Sequence, residues 1–372
     1  MPHKILLFGP PGDFYETMLK ELSQAFVELG HESGWQAEFP THDAVASFAK
    51  QNGVSLVFEI NRTLGSEQPW PSSVSHAAWL QDHWVDWTPV TNLGKSDHVY
   101  FLYHPDASYG EDIPPDRRWS VLSPGARADA PAPETTAETY DIAFCGHLPS
   151  PVDKGVFVTA KDGTPVPLRM FIAGWPPELL LQSHFCLRDI REHIQRRCDE
   201  LGCDTTWGQR LAIDTTLVRT LERQAILNAA LSVSNNVGIW GPDKWLKWPE
   251  FAPFYKGDLP QSALDKDVYQ ASRLNVHTGV VTMHVRSMDC MAVGGFLMIN
   301  RTWIDDKPGG INHFFATGEH YASYDKDNFA EVARRYLGDP TSRTRIAAEG
   351  RRAVLAAHTW KHRAQQILRD FS

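Results

Sequence analysis

No apolar run in this 372-residue chain approaches the roughly 20 residues that cross a bilayer, so no membrane span is expected. Cysteine is scarce. There are five, an odd number at irregular spacings, which fits a reduced intracellular protein better than a disulfide framework. The start, MPHKILLFGPPG, enters a strand with no charged n-region, long apolar h-region or cleavage site, and the expected location is the cytoplasm. Basic charge is also short: 36 Lys and Arg against 45 Asp and Glu give a formal charge of −9. That balance argues against a general nucleic-acid binder but leaves room for one local basic groove. Three chemical motifs are missing as well: G-x-G-x-x-G after the first strand, G-x-x-x-x-G-K-[ST], and the G-x-S-x-G elbow. GPPGDF at 9–14 therefore reads as a plain loop.

What is present is alternation. KILLFG (4–9), VSLVFEI (54–60) and HAAWLQD (76–82) read as buried strands, with a helix-periodic stretch closing at Gly30. Strands alternating with helices imply a parallel sheet with helices on both faces. Residues 104–138 turn rich in Pro, Ala, Asp and Glu, a composition suited to an exposed connection. The alternation then restarts with strands at YDIAFCG (140–146), VGIWG (237–241), LNVHT (274–278) and FLMIN (296–300). Residues 151–215 are poorly legible apart from helical character near 178–202. The chain ends in helix, interrupted near Gly338-Asp339-Pro340. The length favours two domains. The reading is α/β, with two Rossmann-like parallel-sheet domains facing a cleft: 1–138, and 139–354 with a joint near 125–140.

One stretch carries more than packing. RSMDCMAVGGFLMINRT (286–302) places an arginine and an acid in the first turn of a helix, then two glycines, then a buried strand. A helix amino end has free N–H groups and partial positive charge, so it attracts phosphate. The plainer alternative is an i, i+3 ion pair between Arg286 and Asp289 on a capped helix. The two DKD triplets, at 265–267 and 325–327, look like helix starts rather than metal sites. His358 and His362 stand i, i+4 without a third ligand, as ordinary helix residues do, and Cys198 with Cys203 makes no zinc pattern.

Three ordered blocks in the carboxyl-terminal half, YKGDLPQSALDKDVYQASRLNVHTG, RSMDCMAVGGFLMIN and GRRAVLAAHTWKHRAQQIL, resemble the CgeB-type glycosyltransferases. These are similar to glycosyltransferase family 4 and have the two-domain GT-B fold. HAAWLQDHW also looks like that family's acceptor domain. The resemblance implies transfer of a sugar from a nucleotide-sugar donor, with no metal or other cofactor, and a last helix (355–372) crossing back onto the first domain. Implied donor-binding residues are Gly241, Tyr255, Gly257, Asp258, Leu259, His277, His284, Arg286, Ser287 and Asp289. Asp289 stands where the family has Glu and would hold the ribose diol. Thr282 stands where family 4 has a second acid that holds the sugar. PFYKGDL should form a loop near the nucleobase. His277 reads equally as a crevice or a core histidine, and His284 as a phosphate donor or a solvated side chain.

On the acceptor side the expected residues are Glu59, Asn61, Arg62 and Trp84, with Trp70, Trp79 and Trp87 crowding the same region. Asp82 and His83 follow an apolar strand and are the catalytic candidates, with either the base and Asp82 alternatively orienting the imidazole. The acceptor is left open among glycan, protein, lipid, small molecule and modified nucleic acid. Two further functions fit the same fold: a nucleotide-sugar-binding protein without turnover, and a nucleotide-sugar epimerase.

Overall fold

The computed structural model describes residues 2–81, 93–105, 113, 116–133, 138–151, 157–172, 187–203, 205, 207–279 and 281–371. The chain divides into two units, Met1–Asp129 with Leu355–Ser372, and Ala130–Val354.

In the first unit, β1 (Lys4–Phe8) is followed by helix α1 (Asp13–Glu28), β2 (Glu32–Gln36) and helix α2 (His42–Gln51). Then come β3 (Leu56–Ile60), β4 (Ser75–Leu80), β5 (His98–Phe101) and β6 (Trp119–Val121). Hydrogen bonding orders them β2-β1-β3-β4-β5-β6, every pair parallel. β3 is buried at all five positions, as a strand covered on both faces must be, and one of the five is Glu59. The strands expected at 4–9, 54–60 and 76–82 are β1, β3 and β4. β2 escaped the pattern because ESGWQ is polar, contains glycine and lies at the sheet edge.

The stretch 104–138 is not simply an exposed connection. It contains β6, and residues 122–126 are buried, with Leu122 and Ala126 fully so. The reason is a pairing that composition does not report. Ala126 N donates to His358 O at 2.9 Å, and Trp360 N donates to Ala126 O at 3.0 Å, a parallel bridge between segments far apart in the chain. That bridge seats the last helix of the chain, Trp360–Asp370. Trp360 meets Trp79 edge-on at 6.3 Å, and Tyr100 donates its hydroxyl to Asp370 at 2.9 Å. His358 and His362 serve this corner structurally. His358 Nδ1 faces Arg363 at 2.9 Å, and His362 closes a capping box with Thr359.

Gly125 sits against the same bridge: a Cβ there would stand 2.4 Å from Trp360 N. Backbone cannot yield as a flexible side chain does. Gly125→Ala is therefore expected to destabilise this unit by about 1–3 kcal/mol. Urea denaturation followed by tryptophan fluorescence measures it, and an unchanged midpoint would mean that the bridge is absent in solution.

In the second unit, β7 (Tyr140–Cys145) leads into a two-stranded antiparallel piece, β8 (Phe157–Thr159) and β9 (Pro165–Pro167). Helices α3 (Leu187–Glu200) and α4 (Trp207–Val233) follow. The poorly legible 151–215 region thus has a small core of its own, in which Val158, Val166, Phe171, Ile194 and Leu217 pack together. The far end of α4 joins the main core through Ile226, Leu227 and Ala230. The remaining strands are β10 (Val237–Trp240), β11 (Tyr255–Gly257), β12 (Ser272–His277), β13 (Leu297–Asn300) and β14 (Ala322–Tyr324). Helix α5 (Val285–Ala292) lies between β12 and β13, and α6 (Phe329–Leu337) and α7 (Pro340–Ala357) close the unit. The second sheet is ordered β11-β10-β7-β12-β13-β14 and is also parallel throughout.

Candidate functional site

In an open parallel sheet, ligands bind at the carboxyl ends of the strands where the strand order reverses. In the second sheet that place lies between β7 and β12, and α5 begins there. His284 is its N-cap, with Nδ1 accepting from Arg286 N at 3.1 Å. Nδ1 is thus unprotonated, leaving the ring proton on Nε2. Arg286 reaches across to β7 and donates from Nη1 to Cys145 O at 2.8 Å. Gly294 ends the helix with φ of 77°, and a Cβ on Gly295 would meet Cys290 Sγ at 2.8 Å. Only glycine fits this sequence of left-handed turn and close approach.

Positive charge accumulates around this helix end. The His147 ring, following β7, is depressed to about 4 by burial and then by Arg223, Lys244, Arg219 and Arg286. His277 is lowered to about 3 by burial and by Arg286, and His284 falls well below its ordinary value for the same reasons. Arg223, on α4, is pushed down to about 9 by burial and by Arg286 and Arg219. Its buried Nη1 has no hydrogen-bond partner among the described residues. Three guanidinium groups and neutral histidines within electrostatic reach of one helix end make a region suited to an anion. Arg219 and Arg223 stand i, i+4 on α4, and only the tertiary structure connects that helix with α5.

The other expected donor residues are less uniformly placed. Ser287 is fully buried, its Oγ without a hydrogen-bond partner among the described residues, and Asp289 is 9% exposed. A small cavity lies under Arg286, lined by Cys145, Tyr269, Asn275, His277 and Cys290 among others. His277 is a buried strand-end residue, its Nε2 3.3 Å from Val281 O and its ring 5.2 Å from that of His284. The PFYKGDL segment is not a loop throughout. Tyr255–Gly257 pairs with β10 as an edge strand, and Tyr255 donates its hydroxyl to Gly241 O at 2.9 Å. Gly241 has φ of 138°, and a Cβ there would meet Gly146 O at 2.2 Å. Asp258 and Leu259 follow that strand. Thr282 donates to Asp305 at 2.8 Å, and Asp305 also accepts from Thr302.

In the first unit, Glu59 lies near the end of β3, and Asn61 and Arg62 follow the strand. Arg62 forks onto Glu59, with Nε at 2.8 Å from Oε2 and Nη2 on Oε1. His42 Nε2 stands 3.0 Å and His76 Nε2 3.3 Å from the same Oε2. Burial raises the Glu59 pKa, but hydrogen bonds from His42 and Arg62, with the His76 ring close beside them, outweigh it and hold the carboxyl well below the usual range. His42 and His76 were not singled out by sequence, since each is a lone histidine in a different element. Asn61 has φ of 63°, in the left-handed region, and accepts from Gln81 N at 2.7 Å. Trp79 is core and Trp70 donates to Val74 O. Asp82, His83, Trp84 and Trp87 lie outside the described residues.

Residues 216–369 match the family model described as glycosyl transferase-like. AviGT4, a glycosyltransferase involved in avilamycin A biosynthesis, is similar at 12% identity over 100% of this chain and 97% of that one, with a TM-score of 0.54. HepE of Anabaena, in complex with UDP-glucose, is similar at 12% identity over 99% of both chains, with a TM-score of 0.50. A variant of T4 phage BGT, also in complex with UDP-glucose, is similar at 11% identity over 98% of both, again at 0.50. No curated protein matches the chain. Together with two six-stranded parallel sheets, these likenesses decide the architecture. The fold is GT-B. The glycosyl transferase-like segment includes α5, Arg219 and Arg223 of this GT-B chain, and domain and fold together support a transferase enzyme.

Proposed function

We propose that this GT-B protein transfers a sugar from a nucleotide donor whose diphosphate sits at the amino end of α5. The observation that carries this reading is the mutual electrostatic reach of Arg219, Arg223 and Arg286 near one helix end, with a buried guanidinium nitrogen of Arg223 that has no hydrogen-bond partner among the described residues. Their charge offsets a diphosphate without calling on a metal at that position. Asp289, in the same helix, is the group for the ribose diol, because two carboxylate oxygens accept from vicinal hydroxyls. The UDP-glucose in two similar structures makes a uridine nucleotide the first donor to try. The ordered carboxyl-terminal blocks support a CgeB-type enzyme within this reading, one acting in the cytoplasm.

Thr282 favours a second reading. Its hydroxyl is engaged by Asp305, at the position where the resembled enzymes hold the donor sugar with an acid. A protein that binds nucleotide sugar without turning it over would have this appearance. Thermal unfolding with UDP, UDP-glucose and other nucleotide sugars tests both. Ligand at about 100 times its Kd stabilises by about 2.7 kcal/mol. No stabilisation by any nucleoside diphosphate would remove the donor site. Binding without donor hydrolysis or transfer would select the second reading.

A further inference from the structure

The first unit contains a cluster that the donor reading does not use. His42, Glu59 and His76 come from three elements, α2, β3 and β4, and each presents one ligand atom. His42 Nε2, Glu59 Oε2 and His76 Nε2 all lie within 4.8 Å of one another. Glu59 and His76 side chains are fully buried, whereas the His42 side chain is 14% exposed and gives the cluster its opening to solvent.

Hydrogen bonding does not account for this arrangement. A carboxylate oxygen has two lone-pair positions. Arg62 Nε takes one on Oε2, and its Nη2 takes one on Oε1. A single position on Oε2 is left for two imidazoles, which approach at 3.0 and 3.3 Å. His42 makes that hydrogen bond, and His76 Nε2 is buried without a partner among the described residues. The other nitrogen of His76 is anchored, Nδ1 lying 3.0 Å from Ser96 Oγ. With the His76 proton on Nδ1, the Nε2 lone pair faces the carboxylate; with it on Nε2, two imidazole N–H groups compete for one position on Oε2. A cation among the three ligand atoms relieves either conflict.

We propose that His42, Glu59 and His76 form a site for a divalent transition-metal ion of the zinc type. Ligands about 2.0–2.1 Å from a tetrahedral centre stand about 3.3–3.4 Å apart, close to the two nitrogen–oxygen separations found here. Two imidazoles and one carboxylate suit zinc and its neighbours, not calcium or magnesium, which require a shell of oxygens. Arg62 and Ser96 supply the outer hydrogen bonds that orient such ligands: Arg62 fixes the carboxylate and is itself tied to Pro40 O at 2.7 Å, and Ser96 Oγ holds the other nitrogen of His76. The three ligands belong to the first unit and the donor helix to the second, and the test needs no nucleotide.

The probe is Co2+ titrated into the metal-stripped full chain, because it occupies zinc sites and reports tetrahedral ligation through visible absorption bands. One Co2+ per chain with tetrahedral bands is expected. His42→Ala and His76→Ala should each weaken it by at least about 100-fold, since loss of outer-shell partners alone costs about 10–100-fold. Circular dichroism checks that the variants fold. X-ray absorption on the Co2+-loaded unaltered chain reads the ligands without any variant and should show two imidazoles and one carboxylate. Unchanged Co2+ affinity in both folded variants, or an ion shell without two imidazoles, would overturn the proposal and leave a proton-shared network.

Discussion

Arg223→Met is expected to make the free protein more stable and its binding of nucleoside diphosphate weaker. The two effects have one cause. Arg223 carries a buried Nη1 with no partner among the described residues and is repelled by Arg286 and Arg219. The repulsion outweighs the attraction of Glu222, so replacing this charge with an apolar side chain of similar length should stabilise by about 1–4 kcal/mol. The same substitution removes a charged hydrogen-bond partner of the diphosphate, costing about 1.5–3 kcal/mol, or roughly 10- to 150-fold in Kd. Chemical denaturation without ligand and calorimetry with UDP measure the two halves. Lower stability together with unchanged affinity would mean that Arg223 belongs to the fold and not to an anion site. Arg286→Ala should also weaken binding, but its stability effect is mixed, because its hydrogen bond to Cys145 O is lost along with the repulsion.

The second large effect is expected at Glu59, and it depends on pH. Its carboxylate is fully buried and receives Arg62, His42 and His76. Removing one partner of a buried pair leaves the other uncompensated, and Glu59→Ala should cost about 3–5 kcal/mol near pH 7. Because the folded pKa is held below that of the unfolded chain, this stability is fully present above about pH 4.3. It is lost as pH falls through the depressed folded value, when the carboxyl must be protonated. Glu59→Gln keeps the shape and removes the titration. Its stability should be lower at neutral pH, and its acid limb below about pH 4 flatter than that of the unaltered protein. Urea titrations with a chelator present, repeated between about pH 3 and 7, read this difference free of any metal contribution. Parallel pH profiles would show that Glu59 is not held as an anion.

The periodicity of the sequence determined the α/β class and most of the central strands. KILLF, LVFEI, SHAAWL, YDIAFC, VGIW and LMIN are apolar because both faces of a parallel sheet are covered, and that burial is visible in composition alone. The amino end of α5 was legible for a similar reason. A cap, an arginine, an acid and two glycines are local requirements, satisfied within a dozen neighbouring residues. Edge strands such as ESGWQ were not legible, because an edge demands neither alternation nor apolar side chains. Nor was the burial of 122–126, whose cause is a backbone bridge to Thr359. The two charge clusters belong to the same category. Arg219 and Arg223, on α4, come within electrostatic reach of Arg286, on α5, only in the folded unit, and His42, Glu59 and His76 converge from α2, β3 and β4. A side chain's local pattern reports whether it is buried, but its charge partners are chosen by chain crossings that leave no period in the sequence.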